Sequence, residues 1–319
     1  MVRRMDLSFL APPDEVADWR RVVLSALAVD SGVLEHLPGS PADIATALGL
    51  DGHSVRVLLE ALALWQVVSP SDDAFVPGPN MPDGDEALTL MQHARFLRRW
   101  STELGDRMDD RISPAGLPNT REGLTACLCA LAARARVVAP TVIDACVAGR
   151  RGGTTALDVA AGHGEYGIEL ARRGYEVTLL DLPDVIDTVS EWPTVGAAGV
   201  ELVAGDVFEV ALDRQFDLVL CFGFSHTQPA QRCPVLFERL AELTAPGGSV
   251  AVHTFLRGDD PVASLFAVQM LLAGRGGDSH TLDEYRRWTS DAGFESLEVV
   301  DLRHRALLLA NKPAEESRV

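Results

Sequence analysis

Residues 154–183 constrain the fold more than any other stretch of this chain. An apolar run, TALDVA, leads into a turn with glycines at Gly162, Gly164 and Gly167, and a helical stretch follows. A second apolar run then ends at Asp181. The pattern predicts a strand, a tight turn, a helix and a second strand. The free N–H groups at the start of that helix would face whatever binds at the turn.

Beyond residue 153 the periodicity alternates between short apolar runs of strand character and helical stretches. Alternating strands and helices predict an α/β fold, with a mostly parallel sheet and helices on both of its faces. Seven runs of strand character are present, which predicts seven strands. They are TALDVA, YEVTLLD, VELVAGD, FDLVLCFG, SVAVHTF, SLEVVD and ALLLAN.

The N-terminal part, residues 14–112, has a mainly helical pattern. Ser40 and Pro41 have the sequence of a helix start, Gly49 that of a helix end, and Asp51 that of the next cap. A hairpin-like segment follows at residues 66–76, so the order predicts a winged-helix domain. We divide the chain into an N-terminal domain at 1–112, linking helices at 113–150 and a C-terminal α/β domain at 151–319.

The charge argues against a nucleic-acid partner for the predicted winged helix. The formal net charge is −18, from 46 acids and 28 bases. Between residues 40 and 70 the only base is Arg56, against three acids, and a recognition helix without bases cannot hold phosphates. A packing or dimerisation role is therefore favoured over DNA binding.

Cysteine content and hydropathy favour a cytoplasmic protein. The five cysteines are an odd number and form no CxxC pair, which is typical of reduced thiols. No apolar run approaches the roughly 18 residues of a transmembrane helix, and the N-terminus does not have the pattern of a signal peptide. We therefore expect no membrane partner.

Three interpretations of the glycine-rich turn compete: a nicotinamide dinucleotide site, a turn without a ligand, and an S-adenosylmethionine site. The three glycines satisfy GxGxxG, which is weak support for a dinucleotide. Asp158 lies four residues before Gly162 and would repel a pyrophosphate, whereas the ammonium and sulfonium of S-adenosylmethionine favour a nearby carboxylate. Asp181 can accept hydrogen bonds from ribose hydroxyls, and Asp206 from an adenine amino group. The sequence therefore favours S-adenosylmethionine, with S-adenosylhomocysteine as product.

Several motifs in order resemble the small-molecule O-methyltransferase family. They are LDVAAGHGEYGIEL, DLP at 181–183, AGDVF at 204–208, FDLVLCFGFSH at 216–226 and APGGSV at 245–250. The resemblance implies a class I Rossmann-like domain, an N-terminal winged-helix domain, and a homodimer whose N-terminal helices help to line the substrate pocket. The cofactor residues that it implies are Asp158, Ala160, Gly162, Gly164, Asp181, Leu182, Asp206, Val207 and Cys221.

His226 matches the position of the family's catalytic histidine, nine residues after Asp217. A histidine can remove the proton of a hydroxyl acceptor, which typically accelerates transfer by ~10²–10⁴. Its surroundings depart from the family, where two later segments supply carboxylates. This chain has His253 at the first position, and Ser279 with His280 at the second, although Asp278 is near enough to compensate.

The three histidines open an alternative. His226, His253 and His280 could together hold a metal ion that assists C-methylation of a 2-oxo acid. The resemblance supports this alternative, because some members of the family are metal-dependent C-methyltransferases of 2-oxo acids. The spacing of the three histidines, however, is not a local metal-binding motif. A further alternative is an S-adenosylmethionine-binding protein that transfers no methyl group, either a rearrangement catalyst or a regulator. We favour O-methylation of a small, natural-product-like acceptor. An apolar pocket with few polar groups suits an aromatic acceptor. The expected substrate contacts are Phe96, Trp100, His253, Phe266, Gln269 and Met270.

Overall fold

The computed structural model describes residues 19–109, 111, 117–148, 154–258, 260–273, 276–303 and 305–314. The chain divides into two compact units between Ser101 and Thr102. Each unit is described by itself.

The first unit is mainly helical, and its helix boundaries follow from capping residues. The Oγ atom of Ser40 accepts a hydrogen bond from the backbone N–H of Asp43 at 3.2 Å, and Gly49 ends that helix at φ +66°. Asp51 caps the next helix in the same way, as predicted. The elements are α1 (Trp19–Asp30), α2 (Pro41–Leu48), α3 (Gly52–Ala63), β1 (Val68–Ser71), β2 (Ala74–Pro77) and α4 (Gly84–Met108), the last of which extends past the division.

A small core holds the first unit together. On α3 the residues Val55, Leu59 and Leu62 are buried, which is the apolar face that the helical spacing predicts. They pack with Ile44 of α2 and with Phe75 of β2. The strands β1 and β2 pair as an antiparallel hairpin.

The second unit is built on a seven-stranded sheet. The strand order is β5-β4-β3-β6-β7-β9-β8, and only β9 runs antiparallel to its neighbours. All seven predicted strands are confirmed, as is the α/β fold class. The elements are α5 (Arg121–Val147), β3 (Thr155–Val159), α6 (Glu165–Arg172), β4 (Glu176–Asp181), α7 (Pro183–Val189), α8 (Pro193–Ala198), β5 (Glu201–Ala204), β6 (Phe216–Phe222), α9 (Cys233–Leu243), β7 (Thr244–Thr254), α10 (Pro261–Ala273), α11 (Leu282–Asp291), β8 (Ser296–Leu302) and β9 (Arg305–Asn311).

Helices cover both faces of this sheet because alternate strand residues point to opposite sides. Leu157 and Val219 face a core that includes Phe237 of α9 and Trp288 of α11. Leu220, one residue further along β6, faces the other core, which α5 and α6 complete. The strands therefore read as continuous apolar runs, and their carboxyl ends meet at one edge of the sheet.

The helix α5 departs from one expectation, because by length and composition it could cross a membrane. Its most apolar 18-residue window is 44% buried. Leu128, Val142 and Ile143 pack in the cores of the second unit. The buried core helix of a globular unit has the same apolar composition, so packing accounts for the apolarity of α5.

Candidate active site

The glycine-rich turn joins β3 to α6 at the carboxyl edge of the sheet. Its backbone is left-handed at Ala160 (φ +53°), Gly162 (φ +54°) and Gly164 (φ +75°). Gly167 serves packing instead, because a Cβ atom there would lie 2.3 Å from Cδ2 of Leu179. Without that side chain α6 packs closely on β4, and its first turn lies beside the end of β3.

Two buried carboxylates lie at this edge. Oδ2 of Asp158 accepts a hydrogen bond from the backbone N–H of Gly167 at 3.1 Å. Burial raises the pKa of Asp158 to about 7, although that hydrogen bond opposes the shift. Asp181 accepts from the backbone N–H groups of Gly162 and Leu182, each at 2.7 Å, and burial raises its pKa as well. The two acids that the sequence singled out therefore lie on adjacent strands around the turn.

The other predicted cofactor residues lie at three places. Leu182 follows β4 and is 39% exposed at this edge. Asp206 follows β5 and accepts from the backbone N–H of Phe208 at 3.0 Å, and Val207 beside it is buried. Cys221 is fully buried in the core that contains α9, and burial raises the pKa of its thiol to about 12. Its contact with a cofactor stays a prediction.

A pair of residues beside the turn was missed by the sequence argument. Glu165, the first residue of α6, is buried and pairs with Nε of Arg136 on α5 at 3.2 Å. The backbone N–H of Glu165 donates to Nδ1 of His163 at 3.1 Å. Burial lowers the pKa of His163 to about 4, so this imidazole is neutral at neutral pH. Their spacing in the sequence gave no signal, because Arg136 lies almost 30 residues away on another helix.

His226 lies in a short 3-10 helix (Ser225–Thr227) after β6 and is buried. Its ring meets that of Phe266 edge to face, with centroids 4.6 Å apart. Burial, with the nearby charge of Arg305, lowers the pKa of His226 to about 3. Within the described ranges no group hydrogen-bonds to its Nδ1 atom.

The carboxylate that could have supported His226 is engaged elsewhere. Asp278 forms an ion pair with Arg257, and only its backbone N–H reaches His226, donating to the carbonyl oxygen at 3.0 Å. The expectation that Asp278 compensates for the missing family carboxylates therefore gains no support. His226 packs against the ring of Phe266 and lies in the positive field of Arg305.

His280 also has a structural role. Its Nε2 atom lies 3.3 Å from the carbonyl oxygen of Ser225 and 3.2 Å from that of Gln228, so Nε2 carries the proton and donates. Among the described residues no group of three or more His, Cys, Asp or Glu side chains could hold a metal ion. The alternative of a site formed by His226, His253 and His280 gains no support, since His280 uses Nε2 to hold the backbone.

The predicted substrate residues fall into two groups. Phe96 and Trp100 lie on α4 in the first unit. The second unit holds His253 at the end of β7 and Phe266, Gln269 and Met270 on α10. Phe266 stacks on Phe255 with centroids 4.2 Å apart and contacts His226, so one predicted substrate residue does lie against the predicted catalytic histidine.

We call the side chains around His226 and His253 the acceptor side. Two of them, Tyr166 and Arg305, had no signal in the sequence. Tyr166 of α6 lies edge-on to Phe222 at 5.0 Å and to His253 at 6.1 Å between ring centroids. The guanidinium of Arg305 lies 4.4 Å from the ring centroid of Phe255. Burial, followed by Arg305, lowers the pKa of His253. The side chains around His226 are therefore aromatic, neutral or cationic.

Comparison with known proteins agrees with this arrangement. A family described as a methyltransferase domain matches residues 91–299, which is more than half of the chain. A probable bifunctional dTTP/UTP pyrophosphatase/methyltransferase protein of Homo sapiens is 33% identical over 156 residues, covering 47% of this chain and 25% of that protein. A probable scoulerine-9-O-methyltransferase of Papaver somniferum is 27% identical over 175 residues, covering 52% and 47%. The chain thus spans about a quarter to a half of the length of these curated relatives.

Solved structures share the fold over nearly the whole chain. An O-methyltransferase family protein from Burkholderia thailandensis superposes with a TM-score of 0.80 at 20% identity, covering 93% of this chain and 96% of that one. Human N-acetylserotonin methyltransferase in complex with SAM superposes with a TM-score of 0.78 at 18% identity, covering 93% and 95%. The sheet order, the glycine-rich turn and the family match together place this chain in the methyltransferase domain family, with the class I methyltransferase fold.

Proposed function

We propose that this protein is an S-adenosylmethionine-dependent methyltransferase that methylates an oxygen of a small-molecule acceptor. The observation that carries the proposal is the buried carboxyl group of Asp158 beside the left-handed turn. A carboxylate there attracts an ammonium or sulfonium and repels a pyrophosphate, so it favours this cofactor over a nicotinamide dinucleotide. Membership of the methyltransferase domain family supports the same reaction.

The residues of the turn fit the parts of S-adenosylmethionine. Asp158 would face the methionine part, where Gly162 and Gly164 present backbone without side chains. Each oxygen of Asp181 accepts one backbone hydrogen bond and can accept a second, so ribose hydroxyls can still bind there. Leu182 offers an exposed apolar surface to a planar base.

The adenine would lie between Leu182 and the segment of Asp206 and Val207, with Ala160 completing the methionine side of the turn. When bound, S-adenosylmethionine supplies an electrophilic methyl group on sulfur. The chain's own task is then to bind the acceptor, orient its oxygen and exclude water.

On the acceptor side the residues hold an apolar molecule and one reacting oxygen. Phe266 and Phe255 form a stacked aromatic wall next to His226. Neutral His226 can accept a hydrogen bond from an acceptor hydroxyl and hold its oxygen in line with the methyl group. An aromatic acceptor fits this lining. The relative from Papaver somniferum is named for O-methylation of scoulerine, and the human protein of similar fold is named for methylation of N-acetylserotonin.

Titration calorimetry with S-adenosylhomocysteine tests the cofactor. We expect one site per chain, with binding lost in Asp181→Ala and kept in Asp184→Ala, an exposed acid three residues further on. Binding of NAD in its place would show the proposal to be wrong. With an acceptor found by screening against methyl-labelled S-adenosylmethionine, His226→Ala should lower turnover and leave cofactor affinity unchanged.

We also propose that the first unit is a winged-helix dimerisation module. Its helices α2 and α3 and the β1–β2 hairpin follow one another in the order that such a module has. An apolar groove on the same unit supports self-association, because Trp19, Val23 and Leu64 line it and all three are exposed. A reducing, cytoplasmic location agrees with the five free cysteines.

A further inference from the structure

The half-buried side chain of Arg305 lies at the carboxyl edge of the sheet, where the glycine-rich turn also lies. Arg305 opens β9, and antiparallel pairing sets Ala306, the next residue, opposite Thr254 at the carboxyl end of β7. The side chain packs over Phe255, Phe255 stacks on Phe266, and Phe266 contacts His226. Two aromatic rings thus link Arg305 to the proposed catalytic histidine, although 79 residues separate them in sequence.

The charge of Arg305 acts on the whole acceptor side. It lowers the pKa of His226 and of His253, in each case after burial, so both rings stay neutral at neutral pH. Burial lowers the pKa of Arg305 itself to about 10, which still leaves the guanidinium charged at pH 7. Arg134 of α5 adds a second positive field, since it lowers the pKa of His253 and of Arg305.

Among the residues that the structure describes, no carboxylate forms an ion pair with Arg305. Three acids around the glycine-rich turn and His226 have other partners: Asp158 accepts from Gly167, Glu165 pairs with Arg136, and Asp278 pairs with Arg257. The face of the Phe255 ring supplies one favourable contact for the cation. A bound anion would supply the opposite charge that no described side chain pairs with the guanidinium.

We propose that Arg305 is a specificity-determining residue that binds an anionic oxygen of the acceptor, so that the enzyme selects acceptors that are anionic when bound. The proposal rests on the function proposed above, because it places that anion on the acceptor and not on the cofactor. A carboxylate next to the reacting hydroxyl, or an ionised acidic hydroxyl, supplies the same chemistry. Either anion replaces the carboxylates that are absent around His226.

Three probes separate these sources. The protein is first saturated with S-adenosylhomocysteine and then titrated calorimetrically with 2-hydroxybenzoate, with 2-hydroxybenzamide of nearly equal shape, and with 4-nitrophenol at pH values on both sides of its pKa. We expect the benzoate to bind on the order of tenfold more tightly than the amide, because a charge-assisted hydrogen bond exceeds a neutral one. Tighter binding of 4-nitrophenol above its pKa would identify an ionised hydroxyl as a sufficient anion.

The variants Arg305→Met and Arg305→Lys carry the test. Arg305→Met should abolish the preference for the anion, whereas Arg305→Lys should keep a part of it. Arg214→Met is the matched control, since Arg214 also packs over an aromatic ring, Phe216 at 4.9 Å, but at the opposite end of β6. It should keep the full preference.

The outcomes separate the two proposals. Failure of S-adenosylhomocysteine to bind the wild-type protein would remove the proposed function itself. Normal cofactor binding with no preference for either anion, or with no binding of any probe up to its solubility limit, would overturn the role of Arg305 alone. A preference that survives in Arg305→Met would overturn it as well. Cofactor affinity and thermal midpoint of each variant show that it is folded, and if Arg305→Met fails to fold, Arg305→Lys decides by a reduced preference.

Discussion

The carboxyl group of Asp158 changes its charge in the pH range in which the protein would work. Burial penalises the carboxylate and raises the pKa of Asp158 from the ordinary 3.8 to about 7. The folded protein therefore binds more protons than the unfolded chain between about pH 4 and pH 7. Its stability without cofactor should fall as the pH rises through that window.

Cofactor affinity should change with pH in the opposite direction. The ammonium of S-adenosylhomocysteine favours the carboxylate, so the affinity should rise by up to about tenfold per pH unit as the pH approaches 7 and then level off. Calorimetry at a series of pH values measures this slope. Asp158→Asn should flatten both slopes, and an unchanged affinity slope in that variant would assign the titration to another group, such as Asp181.

At the residue scale, the sequence predicted which side chains carry chemistry better than it predicted which groups surround them. Asp158 and Asp181 were identified because one lies near the end and the other at the end of an apolar run, which places both at the carboxyl edge of a parallel sheet. The left-handed backbone at Ala160 was not foreseen, since alanine gives no signal for a positive φ. Arg305 was missed for another reason. Its approach to the acceptor side depends on the antiparallel pairing of β9 with β7, which no local spacing encodes.

Among the elements, α6 depends most on a single glycine. An added Cβ atom at Gly167 would lie 2.3 Å from Leu179, 3.2 Å from Val177 and 3.3 Å from Oδ2 of Asp158. Leu179 and Val177 are buried, so α6 would have to move off the sheet and take its N–H away from Asp158. Gly167→Ala should cost about 1–3 kcal/mol of unfolding free energy from overpacking, and cofactor affinity should fall with it.

Gly196→Ala in α8 is the matched control for Gly167→Ala in α6. Gly196 lies inside α8, and no described atom lies within 4 Å of the position of its Cβ. Alanine there should stabilise the protein by about 0.5–1 kcal/mol through helix propensity. Urea unfolding of both variants compares the two effects. Equal changes would mean that α6 does not need the close approach to β4.

At the scale of the whole molecule, the alternation of strands and helices was sufficient to predict the α/β architecture, because strands buried on both faces have continuous apolar runs. The first unit illustrates what such patterns leave open. Capping residues predicted the starts of α2 and α3, yet the exposed apolar surface of α1 depends on which of its faces packs inward. Trp19, Val23 and Leu27 recur every four residues on one face, and that face is exposed.

That surface leads to a prediction about assembly. Trp19 is 63% exposed, Leu27 51% and Leu64 79%, and apolar groups so exposed favour burial against a second copy of the chain. Light scattering after size-exclusion chromatography should give twice the 34.3 kDa chain mass for the wild-type protein. Leu27→Asp together with Leu64→Asp should give the mass of one chain. Leu50→Asp, at an exposed leucine that does not line the groove, should leave the dimer intact. A wild-type protein with the mass of one chain at every concentration would contradict the dimer.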